Sequence, residues 1–290
     1  MPIVFTLKFH EIENKHFKLF ILIYGDHCHS MLPYIRLACR FLTKGRCFIA
    51  PEEIAHPALC RHYKSIILAE YPAWLIVHII EGRKIHSFHE SAKVLVDIFR
   101  STSTMPVIIR EGAIGIIPVA SISEARKLKR SNPDYVLVGE RYGFKIPGFD
   151  LNNSPSDISV ADLKGKTVVF TSTNGTHVLK KISGTGPIFI GSFLNANATL
   201  SRVREFGHVD LVLSGRPDGS ADEDVYFGQY FMDLLLGKNP DFGQYAQMVR
   251  NSQGAKRLKL MGFKADIEAS LDRDSCDFAL EFRNGEIVRS

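Results

Sequence analysis

The sequence predicts an α/β fold of βαβ units, with a mostly parallel sheet and an antiparallel C-terminal hairpin. Three observations point there. Short apolar, β-branched runs such as Lys93 to Phe99 (KVLVDIF) read as buried strands. Helix-like segments alternate with such runs from about Leu75 onward, the pattern of parallel βαβ construction. Asn284-Gly285 stands between two alternating runs within Phe278 to Val288, the usual signal of a type I′ hairpin. A chain of 290 residues can bury a core as one large or two medium domains. The unbroken alternation favours one α/β unit, with room for two lobes, over independent domains.

The elements follow in order. After Lys93 to Phe99, the hydroxyls Ser101 to Thr104 precede Pro106, which a first helical turn tolerates. Ile114 to Val119 is the next strand. Ser121 and Glu124 have capping-box spacing ahead of a basic helix, Ala125 to Arg130. Tyr135 to Gly139 is a strand ending in Glu140-Arg141, and a Gly- and Pro-rich loop runs from Tyr142 to Pro155. Lys166 to Thr171 is a strand; Asn174-Gly175 turns the chain and Thr176 opens a helix. Pro187 to Gly191 is a strand, followed by Asn195 and a helix to Phe206. Val209 to Leu213 is a strand, and a Gly-rich loop leads to a helix from about Glu223 to Leu236.

A net charge of +5, with 45% hydrophobic and 23% charged residues, describes an ordinary globular protein. Collagenous, disordered and disulfide-scaffold classes are excluded. Such mild basicity gives no reason to expect a nucleic-acid partner. The first 75 residues differ from the rest. They hold Cys28, Cys39, Cys47 and Cys60, against Cys276 alone beyond. Cys28, His29, Cys39 and Cys47 lack the short pair spacings of zinc sites, so scattered reduced thiols are expected. Phe17 to Tyr24 is too short for a membrane span, which needs about 20 residues. Gly25-Asp26-His27 after it makes a poor cleavage site. No membrane partner is expected, and the cytoplasm is the expected location. The early region shows no clean pattern. The change of texture predicts a boundary: 1–75 as an extension, or as sequence upstream of a mis-set start codon, and 76–290 as the α/β domain.

Ligands of open α/β sheets bind outside the carboxyl ends of the strands. Here those ends carry Asp97 and Arg100 to Thr104, Glu140 and Arg141, Thr171 to Thr176, Ser192 and Asn195, and Ser214 to Asp224. Ser101-Thr102-Ser103-Thr104 at a helix start offers free N–H groups, hydroxyls and the helix dipole, a setting that suits phosphate. N-capping alone would need only one hydroxyl. Thr171-Ser172-Thr173-Asn174-Gly175-Thr176 repeats the arrangement, with a plain hydroxyl-rich turn as the alternative. Two such loops suggest a ligand with two anionic ends. Arg100 and Arg141 can grip oxyanions bidentately. Asp97, Glu140, Glu223 and Asp224 can hold Mg²⁺, which takes carboxylate oxygens together with substrate phosphate. The chain has no phosphate-loop or dinucleotide fingerprint and no nucleophile elbow.

Six motifs then stand in order: Val96-Asp97-Ile98-Phe99-Arg100-Ser101-Thr102-Ser103-Thr104; Val138-Gly139-Glu140-Arg141; Gly148 to Pro155 (GFDLNNSP); Thr171 to Thr176 (TSTNGT); Ser192 to Ala196 (SFLNA); and Gly215, Gly219, Glu223 and Asp224. Together they resemble the 2-phosphosulfolactate phosphatase family, over about Leu75 to Ser290. The resemblance implies a Mg²⁺-dependent phosphoric monoester hydrolase. In that family the enzyme converts (R)-2-phospho-3-sulfolactate to 3-sulfolactate and phosphate, in coenzyme M biosynthesis. On this reading Asp97 and Arg100 are catalytic, and Asp97, Glu140, Glu223 and Asp224 hold the metal. Substrate contacts come from Ser101, Thr102, Ser103, Thr104, Arg141, Asn153, Ser154, Thr171, Ser172, Thr173, Asn174, Gly175, Thr176 and Asn195.

The expected partner is a small anionic phosphate ester, and a homo-oligomer is compatible with the chain. Leu213-Ser214, Arg216-Pro217-Asp218, Ser252-Gln253-Gly254 and Ala279-Leu280 depart from common family residues. These departures bear on the substrate more than on the fold. A phosphatase for another small organic phosphate and a non-catalytic anion-binding module are the alternatives.

Overall fold

The computed structural model describes residues 4–12, 16–24, 63–70, 73–84, 87–217, 219 and 221–290, with side chains described from Leu75. Cys28, His29, Cys39, Cys47 and Cys60, and the expectations placed on them, lie outside the described residues. The chain divides into two compact units, Met1–Ile80 and Glu81–Ser290. Four strands belong to the first: β1 (Val4–Ile12), β2 (His16–Tyr24), β3 (Tyr63–Glu70) and β4 (Ala73–Glu81). Each pairs antiparallel with the next. The run Phe17 to Tyr24, read from sequence as apolar but too short for a membrane span, makes most of β2.

The second unit alternates as expected. Its elements are β5 (Ala92–Val96), α1 (Ser101–Arg110), β6 (Gly115–Pro118), α2 (Ile122–Ser131), β7 (Val136–Arg141), β8 (Phe144–Lys145), α3 (Pro155–Ile158), β9 (Thr167–Thr171) and α4 (Gly175–Ile182). There follow β10 (Ile188–Gly191), a 3₁₀ turn at Phe193–Asn195, α5 (Ala196–Val203), β11 (His208–Leu213), α6 (Asp222–Leu235), α7 (Phe242–Arg250), α8 (Gln253–Leu260), α9 (Lys264–Ala269), β12 (Leu280–Arg283) and β13 (Glu286–Arg289). None of the helices among the described residues is long and apolar enough to cross a membrane.

Two expectations are adjusted. Helix α1 begins at Ser101, so Pro106 lies inside it rather than in its first turn. Helices α7 to α9 fill a stretch to which the sequence reading gave no element. Their start signals are ordinary: Asp241 caps α7 by accepting from Gly243 N–H, and Ser252 caps α8 by accepting from Ala255 N–H. Ser121 caps α2 through Glu124 N–H, as its spacing predicts.

The sheet of this unit runs β11-β5-β10-β12-β13-β6-β9-β7-β8. β11, β5 and β10 are parallel, and so are β6, β9 and β7. The C-terminal hairpin forms as expected, with Asn284 and Gly285 at φ 54° and 88°, the two positive values a type I′ turn needs. It lies inside the sheet, as the join between the parallel triplets. Leu280 and Ile287 are fully buried there, in one core with Leu95, Ile116, Phe170 and Ile190.

Three successive antiparallel pairings separate β10 from β6, so the two triplets run in opposite senses. Right-handed twist of roughly 20–25° per strand pair accumulates across the intervening strands. The sheet also curls, because Asp97, just past β5, lies against Gly175, just past β9. The carboxyl ends of both triplets therefore meet.

At the amino end of β5, Lys93 is fully buried. Its Nζ donates to His89 O (2.7 Å), Thr185 O (2.6 Å) and Ser91 Oγ (2.9 Å), and Asp210 Oδ2 lies 4.0 Å away. Burial lowers the Lys93 pKa, against the pull of Asp210 and Glu90. Removing Lys93 takes the buried positive charge from beside Asp210, which keeps its contacts with Ser91 Oγ (2.5 Å) and His208 Nε2 (3.2 Å). Lys93→Met is expected to cost about 3 kcal/mol, the lower end of the range for a broken buried pair. Chemical unfolding measures this; an unchanged midpoint would show that the pair adds nothing.

Candidate active site

The site starts at the sharp turn from β5 into α1. Here the chain leaves a strand and enters a helix within four residues, in a place shielded from water. Its backbone groups need local partners. Thr102 Oγ1 accepts from Asp97 N–H at 2.9 Å. Ser103 Oγ donates to Ile98 O at 3.0 Å, and Thr104 Oγ1 to Arg100 O at 2.9 Å. The N–H groups of Thr102, Ser103 and Thr104 are bonded to Asp97 O or Arg100 O. Three of the four hydroxyls expected to bind phosphate thus stitch the turn instead. Ser101 is different: it reaches the cavity, accepts from Asn153 Nδ2 at 3.4 Å and bonds Asp97.

The loop Thr171 to Thr176 does receive negative charge, but from this chain's own carboxylates. Thr173 N–H donates to Glu140 Oε1 at 2.6 Å and Thr173 Oγ1 to Glu140 Oε2 at 3.1 Å. Gly143 N–H also reaches Glu140 Oε2, at 2.7 Å. Gly175, first residue of α4, gives its N–H to Asp97. Ser172 and Thr176 bond each other across the turn. Thr171 Oγ1 accepts from Arg141, whose other donors go to Glu140 O and Ala120 O. Arg83 holds the loop from outside through Thr173 O and Asn174 Oδ1.

Four carboxylates meet here with different duties. Burial pushes the Asp97 carboxyl up to about 6; the Ser101 hydroxyl opposes the rise, and Glu140 and Glu223 add to it. Asp224 is raised well above its usual range by burial, with Asp97 and Glu223 adding to the effect. Its oxygens accept from Ile98 N–H (2.8 Å) and Gly215 N–H (3.4 Å), so it braces the β5 turn behind the cavity. Glu223 is also raised by burial, against Arg216, whose Nη2 is 3.9 Å from its Oε2. Glu140 already accepts three hydrogen bonds and organises the loops around it. Of the four expected metal ligands, Asp97 and Glu223 are therefore best placed to take a cation.

A cavity of about 510 Å³ opens over these groups. Asp97, Glu140 and Glu223 line it together with Arg100, Ser101, Asn153, Thr173 and Asn174, all among the residues named from sequence. Thr102, Ser103, Thr104, Arg141, Ser154, Thr171, Ser172, Thr176 and Asp224 stand behind it, and Gly175 touches Asp97 and Ser101 from below. Asn195 is elsewhere in role: fully buried, it caps the 3₁₀ turn through Ser192 and Ile190 O.

Sequence reasoning missed one wall. Gly254, Arg257, Leu258 and Met261 line the cavity from α8 and its end, and Arg216 and Pro217 from the loop before α6. The spacing 254, 257, 258, 261 is one helix face, so the signal was present once the helix was recognised. Gly254 is required there: a Cβ would sit 2.4 Å from Glu223 Oε1.

Two buried oxygens at this cavity, Glu223 Oε2 and Asn153 Oδ1, have no hydrogen-bond partner among the described residues. Each such atom costs about 1–3 kcal/mol when left unsatisfied. Two carboxylates and a neutral amide oxygen are a donor set that fits a hard divalent cation.

The family model for 2-phosphosulpholactate phosphatase matches residues 77–285. A "probable 2-phosphosulfolactate phosphatase" of Thermoplasma acidophilum is 40% identical over 216 residues, covering 74% of this chain and 96% of that protein. Proteins of the same name in Thermoplasma volcanium and Caldicellulosiruptor saccharolyticus are 38% and 40% identical, covering 99% and 90% of their own lengths. The match spans every residue of the cavity described above, and this chain belongs to the 2-phosphosulfolactate phosphatase family.

Proposed function

We propose that the chain is a Mg²⁺-dependent phosphatase of the cytoplasm. It hydrolyses (R)-2-phospho-3-sulfolactate to 3-sulfolactate and phosphate, with 76–290 as the catalytic unit. The family membership supports the reaction class. The observation that carries the site is Glu223 Oε2, buried beside Asp97 without a hydrogen bond among the described residues and with Arg216 Nη2 no nearer than 3.9 Å, in a cavity that Arg100 also lines.

Asp97 and Glu223, with Asn153 Oδ1, would hold the ion. When bound, Mg²⁺ neutralises phosphoryl charge and polarises the phosphorus. Arg100 meets the phosphoryl oxygens, where negative charge grows as water displaces the alcohol. Arg216 and Arg257, on the opposite wall, meet the carboxylate and sulfonate of the substrate. Ser101 and the Gly175 N–H fix the Asp97 carboxylate. Asp224, whose carboxyl burial raises well above its usual range, braces the turn behind the pocket.

Phosphate release from a panel of small phosphate esters, phosphosulfolactate included, tests this reading. Phosphosulfolactate is expected to be the best substrate, with EDTA abolishing turnover and Mg²⁺ restoring it. Full activity in chelator would reject the metal, and release from none of the esters would reject the phosphatase. A better substrate with fewer anionic groups would favour the second reading, a related phosphate ester. That reading draws on Arg216 and Pro217, which line the cavity where the chain departs from the family pattern.

A further inference from the structure

Arg100 lines the cavity, but most of its guanidinium is already held. Nη1 donates to Asp266 Oδ2 at 2.7 Å. Nη2 donates to Gly143 O at 2.5 Å. The flat face lies 4.4 Å from the centre of the Phe263 ring. Asp266 comes from α9, far along the chain, and is fully buried. Its other oxygen, Oδ1, accepts from Ser154 Oγ (2.6 Å), Ser156 Oγ (2.6 Å) and Ser156 N–H (3.2 Å). Those donors belong to the start of α3, directly after Asn153. One carboxylate thus ties together the segments that deliver Arg100 and Asn153 to the cavity.

Packing alone does not call for this. A buried charge pair is costly to desolvate and is often no better than an apolar pair for stability. What it supplies is aim. A guanidinium gripped on two edges and one face cannot swing, so its remaining N–H groups stay directed at one place. We infer that Asp266 is a positioning residue, with Phe263 as its platform: together they orient Arg100 for the phosphoryl group. The inference rests on the phosphatase reading for its consequence in turnover, but not for its geometry.

Two measurements on the full chain separate these. The first needs no substrate. Phenylglyoxal modifies accessible, mobile guanidinium groups, and peptide mass spectrometry reads the rate at Arg100. Asp266→Asn is expected to speed that modification about 10-fold or more, and Phe263→Leu to speed it less. Wild-type rates in both variants would overturn the inference. Should Asp266→Asn fail to fold, Phe263→Leu decides alone.

The second measurement is turnover. Asp266→Asn is expected to lower kcat/KM about 10- to 100-fold, the scale of misplacing a catalytic group by about 1 Å, with a raised KM. It should add nothing in an Arg100→Ala background. A merely structural role would reduce the folded fraction and leave KM unchanged. Additive losses in the double variant would also overturn the inference. Release of Arg100 in a protein that hydrolyses no ester would reject the phosphatase and leave the positioning intact.

Discussion

Asp97→Asn is expected to lower kcat by about 10² or more, the scale of a lost charged group at a reacting centre. The same change is expected to stabilise the metal-free protein above pH 6. Both follow from one fact. The carboxyl is buried against Glu140, Glu223 and Asp224, and its pKa sits near 6 rather than 3.8. A carboxyl whose folded pKa is raised binds more protons folded than unfolded between those values. Stability is therefore lost as pH rises from about 4 to 6, and is not regained above that. Asparagine carries no charge and escapes this loss, while it still accepts a hydrogen bond from Gly175 N–H. Thermal unfolding in EDTA at pH 5 and pH 8 measures the effect, which should be larger at pH 8.

Metal affinity moves the other way. On the proposed metal reading Asp97 must lose its proton to bind the cation, so the Mg²⁺ needed for half-maximal activity should fall as pH rises from 5 to 7. Wild-type turnover in the Asn variant would remove Asp97 from the mechanism.

Gly175→Ala is expected to lower kcat/KM by about 10², with a lower melting temperature. A Cβ at this position would lie 2.8 Å from Asp97 Oδ2 and 2.9 Å from Ser101 Cβ and Oγ. Ser101 Cβ is fixed by the backbone of α1, so the turn into α4 must shift as well as the Asp97 carboxylate. Displacing that carboxylate by about 1 Å is enough for a loss of this size. Gly175 starts a helix, where alanine is no worse than glycine, so the cost in stability comes from these contacts and not from helix propensity. Kinetics with a thermal melt on the same sample checks both halves. A fully active Gly175→Ala protein would mean that the turn yields, and that contact with Asp97 does not set the carboxylate position.

Some of this site was legible in the chain. Asp97, Arg100, Ser101, Glu140, Thr173 and Glu223 follow strands whose apolar runs are plain, and strand ends are where α/β ligands bind. The hydroxyl-rich segments misled for a physical reason. Hydroxyls near a strand-to-helix turn serve equally to bind a ligand or to satisfy the backbone, and composition does not distinguish the two. Thr102, Ser103 and Thr104 do the second. Likewise Thr171 to Thr176 reads correctly as a loop that receives anions, but nothing local says that the anions are Glu140 and Asp97.

Arg257 and Asp266 were missed because α8 and α9 are short, mixed in character and start without a strong apolar stripe. Their importance lies in what they touch. Strands β1 to β4 were not predicted: Phe5-Thr6-Leu7-Lys8-Phe9 alternates, but Phe17 to Tyr24 is a nearly continuous apolar run without strand periodicity.

By itself the sequence determined the α/β alternation, the type I′ hairpin, the family and the list of groups able to do the chemistry. These depend on local periodicity, turn geometry and residue type, which are properties of neighbours along the chain. Only the tertiary structure decided that the hairpin joins two parallel triplets running in opposite senses, because the pairing of β13 with β6 links residues far apart in sequence. It also decided which carboxylates face the cavity, which brace it, and that Asp266 holds Arg100. Those are contacts between distant segments, set by how the sheet twists and curls and by which buried polar atoms are left to satisfy one another.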